Sequence, residues 1–309
     1  MAKIHRNDAF YAEQQQRSAA ARQSLPQSRE APDQKAEGET SAQPEPPRSS
    51  QKTGKKKASR AGRGYTIAMV ICLAVFLFSG GMLVKRYFED RQAENEFADL
   101  QALIDPTAPA TTETGASNSA KFAALREQNP DCIGWLSIEN TNLDFPVMFA
   151  PDNKDFYLRH DFSGTYSVYG VPYLDEKTTL GANDQSDNLI IYGHNMKTGT
   201  IFGCLTGYKK ADYYAEHPTI EFDTVYGDGT YEVFAAFAID VVGDPSFVYN
   251  EYVDMDETTY NAYLDEVIAR SDVDSGIRPS YGEQLLTLST CEYSTDNGRY
   301  VVVARKIQG

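Results

Sequence analysis

One uninterrupted apolar segment constrains this chain more than any other feature of its sequence. It runs from Tyr65 to Val84 (YTIAMVICLAVFLFSGGMLV) and contains no charged residue. A helix needs about 20 apolar residues to cross the hydrocarbon core of a bilayer, so the segment predicts one transmembrane helix. The alternative is a cleaved signal peptide, but the segment begins far from the first residue and no small-x-small cleavage site follows it.

Charges next to this segment predict its orientation. The residues just before it include a basic run of Lys52, Lys55, Lys56, Lys57, Arg60 and Arg63. Basic residues stay on the cytoplasmic side, so we expect the N-terminus inside the cell and everything after Val84 outside, in a single-pass membrane protein. Residues 1–64 are rich in Gln, Ser, Ala, Pro and charge, a composition typical of a disordered tail, here a basic cytoplasmic one.

The remaining chain divides into a spacer and a packed domain. Residues from Lys85 to about Leu103 have the pattern of a polar, partly amphipathic helix. Residues 105–120 (DPTAPATTETGASNSA) have a linker composition, so residues 85–120 are predicted to form an extracellular helix and stalk. The domain is predicted over residues 121–309. The whole chain has a net charge of −15, and because residues 1–64 carry +6, the part after them carries −21, which argues against a nucleic acid partner because phosphates would be repelled.

The domain has the sequence pattern of a mainly β protein. Short segments rich in β-branched and aromatic residues, bounded by Gly, Asn, Asp or Pro, predict strands. These segments are residues 132–138, 169–174, 188–194, 219–224, 230–240, 284–291 and 299–307. Helical patterns are confined to residues 122–128 and 258–271. Many short strands with few helices indicate a barrel or a sandwich with helical insertions.

The cysteines limit the chemistry that this domain can perform. They form no CxxC pair and no cluster with His, so neither a zinc site nor a disulfide framework is predicted. Cys291 ends an apolar strand where a polar stretch begins, which would leave its thiol partly exposed. Cys132 and Cys204 lie among core-like residues, and Cys72 lies within the apolar segment, so these three are expected to be inert.

A nucleophilic thiol also needs a proton shuttle. His194 ends the apolar run LIIYG, at a strand end that the sequence suggests is a second mouth of the barrel. His5 lies in the tail, and His160 and His217 are more typical of surface or structural histidines. His194 is therefore the predicted acid/base partner of Cys291.

The third requirement is a cation for the oxyanion that forms when a thiolate attacks a carbonyl. Arg299 begins the next strand, eight residues after Cys291, and a short turn would return it to the level of the thiol. Arg305 is the competitor on the same strand. It has the same parity as Arg299 but lies about six residues, or roughly 20 Å, farther along.

The segments that carry these residues resemble the sortase family, and class B sortases in particular. TLSTC (Thr287–Cys291) is similar to the TLxTC signature of that family, and YGHN (Tyr192–Asn195) to the segment with the family His. RYVVVARK (Arg299–Lys306) is similar to the segment with the family Arg.

Other segments carry the resemblance to class B. They are residues 129–147, residues 152–162 and the helix before the TLSTC strand. The similarity covers the chain from about Lys121 to its C-terminus. The order of His before Cys also differs from that of papain-like proteases. The long N-terminal tail is not part of the family pattern.

The resemblance implies a fold and an activity. The fold would be a closed eight-stranded sortase-type β-barrel with helical insertions. The activity would be that of a cysteine transpeptidase with Cys291 as nucleophile, His194 as acid/base and Arg299 as oxyanion stabiliser. Such an enzyme cleaves a C-terminal sorting signal after Thr and passes the surface protein, through a thioester, to an amine. The amine would belong to a lipid-linked peptidoglycan precursor or to a pilin lysine.

No cofactor and no metal are expected. Positions that resemble substrate-contacting ones of the family are Leu158 and Tyr192. Three residues that flank the nucleophile are candidates for orienting substrate or Arg299, with simple strand pairing as the alternative: Ser289, Thr290 and Glu292.

Two other functions remain possible at this point. L,D-transpeptidases also act on the cell wall with a His and a Cys, but their usual Ser-x-Gly-Cys context is absent before Cys291. A non-catalytic surface domain could retain a barrel for adhesion. A hyper-reactive Cys291 thiol would distinguish an enzyme from such a domain.

Protease added to intact protoplasts that express the chain is expected to remove the domain after Val84 and to spare residues 1–64. The reason is that only the outer side of the membrane is accessible to the protease. Blots with antibodies against the two ends give the result, and permeabilised protoplasts, in which both ends are cut, are the control. Loss of the tail with protection of the domain would reverse the orientation.

Overall fold

The computed structural model describes residues 61–108, 118–196 and 199–307. The predicted disordered tail lies almost wholly outside these ranges, as does the middle of the predicted stalk, residues 109–117. The chain divides into two units, residues 1–63 and 64–309. The fold described below belongs to the second unit.

Helix α1 (Ala61–Gln101) contains the apolar segment and continues without a break through the sequence that follows it. Its window Ile67–Lys85 has a mean hydropathy of 2.6 and is not buried, so it is long and apolar enough to cross a membrane. Near its end, Phe97 and Leu100 are buried. The Phe97 ring meets Phe145 of the domain edge-on, with centroids 4.7 Å apart. The helix therefore joins the apolar segment directly to the domain.

The chain after α1 returns to the domain. The backbone N–H of Asp105 donates to the carbonyl of Lys121, with N and O 3.1 Å apart. The Lys121 ammonium forms ion pairs with Asp223 at 2.6 Å and Asp228 at 2.9 Å. Asp105 and Lys121, at the two ends of the predicted linker, therefore lie next to each other beside the domain.

The domain is a closed barrel, as the sequence predicted. Its strands neighbour one another in the order β1-β2-β3-β4-β7-β8-β6-β5. The strands are β1 (Cys132–Ser137), β2 (Asp144–Met148), β3 (Tyr173–Leu174), β4 (Asn188–Tyr192), β5 (Thr219–Thr224), β6 (Thr230–Asp240), β7 (Leu285–Cys291) and β8 (Gly298–Lys306).

Helices fill the connections between strands. The α-helices are α2 (Ala123–Gln128), α3 (Ala211–Glu216) and α4 (Glu257–Arg270), and short 3-10 helices span Phe156–Leu158, Gly203–Lys209 and Tyr249–Glu251. Asp256 caps α4, because its carboxylate accepts from the Thr259 N–H at 2.8 Å.

Two strands differ from the sequence prediction. β2 was not predicted, because Pro146 lies in its middle and proline lacks the N–H that a strand ladder uses. The structure accommodates Pro146 opposite Trp135 of β1. β3 keeps only Tyr173 and Leu174 of the predicted segment 169–174. Both departures lie on the side of the barrel away from β7 and β8.

Hydrophobic residues form one cluster inside the barrel and another on its outer face. Leu286 and Leu288 of β7 belong to the interior cluster. Leu285 belongs to the outer cluster, which also contains Tyr263 of α4. Because successive side chains of a strand point to opposite faces, Cys291 shares the outer face with Leu285. The candidate nucleophile is therefore on the outside of the barrel.

Replacement of Leu288 by Ala is expected to lower the free energy of unfolding by about 2–5 kcal/mol, because it leaves a cavity inside the barrel. Ile268→Ala on α4 is the control. Its side chain is 36% exposed, so a loss below about 1 kcal/mol is expected. Urea unfolding of the full chain in detergent, followed by fluorescence of the single tryptophan, Trp135, measures both. Equal losses would contradict this description of the core.

Candidate active site

The strand register brings the three predicted catalytic residues into one row. β4 and β7 are parallel, with Tyr192 opposite Ser289. Continuing this register by two residues places His194 beside Cys291. β7 and β8 are antiparallel, with Cys291 opposite Arg299. Because neighbouring strands lie about 4.8 Å apart, this register places His194, two residues past the end of β4, in a row with Cys291 of β7 and Arg299 of β8.

The expectation that His194 lies at a second mouth of the barrel was wrong. β4 and β7 run in the same direction, so their C-terminal ends lie at the same end of the barrel. The long chain between the two strands makes this possible, because parallel neighbours need a crossover connection. Short strand patterns alone do not reveal which strands are parallel.

Burial and its effect on thiol pKa distinguish Cys291 from the other two cysteines of the domain. Cys291 is half-buried, and so its thiol reaches the surface. Burial raises the pKa of Cys132 to about 11, and burial also raises the pKa of Cys204 to about 11. A thiol of that pKa is protonated at neutral pH and is a poor nucleophile.

His194 is held by a backbone carbonyl. Its Nε2 lies 2.7 Å from the carbonyl oxygen of Leu158, so Nε2 carries the proton and donates. In the neutral ring Nδ1 is then the acceptor. Burial lowers the pKa of His194, the hydrogen bond to Leu158 acts in the opposite direction, and the nearby cation of Arg159 lowers the pKa further. The imidazole is therefore mainly neutral at pH 7.

The other two histidines of the domain lie in packed surroundings. His160 stacks on Phe156 with ring centroids 3.9 Å apart, and its Nδ1 lies 2.7 Å from the Phe156 carbonyl. His217 is buried, and its Nδ1 lies 2.9 Å from the carbonyl of Glu139. These contacts are those of structural histidines.

The two arginines of β8 have different surroundings. Arg299 is half-buried, and its Nη1 donates to the carbonyl of Gly298 at 3.0 Å. Arg305 lies opposite Leu285, at the far end of β7 from Cys291. Its guanidinium forms ion pairs with Glu232 at 2.9 Å and Glu283 at 3.1 Å. Of the two, Arg299 is the cation beside the thiol.

Tyr192 is the last residue of β4, two residues before His194, and its hydroxyl is bound within the protein. It donates to the Asp175 carboxylate at 2.7 Å and accepts from Nδ2 of Asn250 at 3.1 Å. Burial raises the pKa of Tyr192 and also that of Asp175. The ring of Tyr192 is thus fixed in place as part of the surface beside the site.

Of the residues that flank the nucleophile, Ser289 and Thr290 are buried. The Ser289 hydroxyl lies 2.6 Å from the Tyr249 hydroxyl, and the Thr290 hydroxyl donates to the carbonyl of Gly193 at 2.7 Å. The structure places both hydroxyls in internal hydrogen bonds, which support the strand ends beneath the row.

Glu292 follows the nucleophile directly, and its carboxylate is bound by its neighbours. Hydrogen bonds from Ser294 and the ammonium of Lys209, 2.9 Å away, lower the pKa of Glu292. The carboxylate is therefore ionised at neutral pH and is tied to the connection that follows His194.

Sequence reasoning missed two contacts at this site. One is the Leu158 carbonyl on Nε2 of His194, which is a backbone group that any residue could supply. The other is Asn195, whose side-chain Nδ2 donates to the carbonyl of Cys291 at 2.8 Å. Asn195 directly follows the histidine in YGHN, and this position could have suggested that its side chain takes part in the site. Within the described ranges, no group of three His, Cys, Asp or Glu residues could hold a metal ion.

Known proteins resemble this chain in sequence and in structure. Residues 136–307 match a family model described as the Sortase domain. Sortase B of Listeria monocytogenes is 30% identical over 246 residues, which cover 79% of this chain and 96% of that protein.

The solved Staphylococcus aureus sortase B–substrate complex has a TM-score of 0.62 at 29% identity, with coverage of 72% of this chain and 99% of that one. A sortase B complexed with triglycine has a TM-score of 0.55 at 32% identity, with coverage of 61% and 86%.

Iodoacetamide at neutral pH is expected to label Cys291 in the native protein and to leave Cys132 and Cys204 unlabelled. With a pKa of about 11, each of those two thiols is ionised to about one part in ten thousand at pH 7, and the thiolate is the species that reacts. Peptide mass spectrometry over a time course measures the rates, with labelling in urea as the control. Similar native rates at all three would contradict this assignment.

Proposed function

Since the chain belongs to the sortase family, and within it to class B, we propose that it is a membrane-anchored cysteine transpeptidase. It cleaves a C-terminal sorting signal after Thr and transfers the surface protein to an amine of the cell-wall precursor. The observation that carries this proposal is the strand register, which aligns His194, just past the end of β4, with Cys291 of β7 and Arg299 of β8.

In the first half-reaction the Cys291 thiolate attacks the carbonyl carbon of the substrate Thr, and the carbonyl electron pair moves onto oxygen. Arg299 and a backbone N–H near Cys291 hold this oxyanion. When the tetrahedral intermediate collapses, the C–N bond breaks and His194, as imidazolium, protonates the departing amine. The product is a thioester between Cys291 and the shortened protein.

In the second half-reaction an amine attacks the thioester. Neutral His194 accepts the proton of the incoming amine, and the Cys291 thiolate leaves. The structure of a relative with bound triglycine supports a glycine amine as acceptor. A lipid-linked peptidoglycan unit carries such an acceptor, and a pilin lysine would use the same chemistry.

The low pKa of His194 affects how much of the enzyme is ready to react. Burial disfavours the imidazolium, so most molecules at neutral pH hold a neutral imidazole beside the thiol. The reactive pair of thiolate and imidazolium forms by transfer of one proton from the thiol to the ring. A plot of activity against pH is then bell-shaped, and its two apparent pKa values describe the Cys291–His194 pair and not either residue alone.

Residues around the row supply the substrate groove. We assign contact with the sorting signal to Leu158 and Tyr192, which are both half-buried. Ser289 and Thr290 act from beneath, through the hydrogen bonds described above. Glu292, whose carboxylate pairs with Lys209, orients the substrate or Arg299.

Helix α1 supplies the anchor. Residues 65–84 cross the membrane, residues 1–64 form the cytoplasmic tail, residues 85–120 connect, and residues 121–309 catalyse outside the cell. The exposed apolar window of α1 supports this arrangement, and the basic run before it supports the orientation.

A quenched fluorogenic peptide library with one fixed Thr and randomised neighbours tests the proposal, with triglycine as the amine. The full chain should cleave a subset of peptides after Thr and join triglycine to the Thr carboxyl group, and Cys291→Ala should do neither. Cleavage elsewhere, or equal activity of Cys291→Ala, would end the proposal.

Arg299→Ala is expected to lower kcat by about 10²–10³-fold with little change in KM, because an oxyanion donor acts mainly in the transition state. Arg305→Ala is the matched control on the same strand, and its kcat should stay within a few-fold of the parent. Steady-state kinetics on the best library peptide, after a check of folding, measures both. The reverse ranking would transfer the oxyanion role to Arg305.

A further inference from the structure

The side chain of Asn195 joins two strand ends at the point where they part. Gly193, one residue past β4, still follows the parallel ladder, because its N–H donates to the Ser289 carbonyl at 3.2 Å. The next carbonyl of β7 on that edge belongs to Cys291. Here the donor is Nδ2 of Asn195, at 2.8 Å. A side-chain amide therefore extends the contact between the strands beyond the end of the regular ladder.

His194 lies between these two attachments. Gly193 ties the chain to β7 on one side of it and Asn195 ties the chain to β7 on the other. The carbonyl of His194 also accepts from the Phe202 N–H at 2.9 Å. The backbone of His194 is thus held at the level of Cys291, while the Leu158 carbonyl fixes its ring.

Backbone contacts also hold Asn195. Asn195 pairs with Ile201 across an antiparallel bridge. Ile201 is buried and has a φ of 56°, a left-handed conformation that a β-branched residue rarely adopts. The backbone carbonyl of Asn195 accepts from the Tyr293 hydroxyl at 3.0 Å. Asn195 therefore contacts Cys291 with its side chain and Tyr293, two residues later, with its backbone.

We propose that Asn195 is a positioning residue for the His194–Cys291 pair. The hydrogen bond from its side-chain amide to the Cys291 carbonyl holds the His194 imidazole beside the Cys291 thiol. This inference rests on the proposed function, because it assigns Asn195 a role in proton transfer between the two residues. A group 1 Å out of place can cost about 10²-fold in rate. Only a donor can bind the Cys291 carbonyl, so an amide fits this position and a carboxylate, which only accepts, does not.

Three variants of the full chain test the proposal: Asn195→Ala, Asn195→Asp and Asn261→Ala. Asn261 is the control, because its amide also donates to a backbone carbonyl, that of Glu257 at 2.8 Å, but on helix α4. We expect Asn195→Ala to lower kcat by about 10- to 100-fold while KM stays within about twofold. Asn195→Asp, of nearly the same size, should be no better, and Asn261→Ala should match the parent.

Folding is checked on the same samples by iodoacetamide, since the fully buried Cys132 remains unlabelled only in a folded barrel. A folded Asn195→Asp with parental kcat would overturn the proposal, because the donor would then be unnecessary. A loss that appears in KM alone would also overturn it. Failure of the parent chain to cleave any library peptide would instead contradict the proposed function, and that outcome is read before any Asn195 variant is compared.

Discussion

The parallel pairing of β4 with β7 is the constraint on which the candidate site depends. It places the ends of two strands that are distant in sequence at one end of the barrel. The antiparallel pairing of β7 with β8 then adds Arg299 on the other side of Cys291. Neither pairing alone gives three functional groups in a row. A slip of one residue in either register would turn a side chain to the interior and dismantle the site.

Side chains on the outer face of β7 are buried over most of the strand and become partly exposed only at its end. This change in burial explains why the chemistry occurs at Cys291. Leu285 is buried in the outer cluster. Farther along, Thr287 donates to Asn188 at 2.8 Å and Ser289 bonds to Tyr249. Only at Cys291 does the strand reach the surface. Buried hydroxyls that all have partners form a rigid support, because an unpaired polar group would carry a desolvation cost.

The sequence was sufficient for the parts of the fold that follow local patterns. The alternation of β7 and β8 and the distance from Cys291 to Arg299 predicted which arginine lies beside the thiol. Chain direction was beyond such patterns, and so the relation of His194 to Cys291 was misjudged. Strand β2 was not predicted because Pro146 is unfavourable in a strand. It forms nevertheless because its pairing with β1 outweighs that local preference. The Leu158 carbonyl had no signal at all, because a backbone atom does not depend on residue identity.

Because helix α1 is unbroken, it sets both the distance between the apolar segment and the domain and the rotation of the domain around the helix axis. From Lys85 to Phe97 there are twelve residues, a rise of roughly 18 Å at 1.5 Å each. The contact between Phe97 and Phe145 attaches the C-terminal part of this helix to the barrel. Each residue of an α-helix also rotates the chain by about 100° around the helix axis. If residues 67–85 span a bilayer, the number of helical residues between the membrane and Phe97 sets the direction in which the row faces around the helix axis. One added residue would rotate Cys291 by about 100° around that axis.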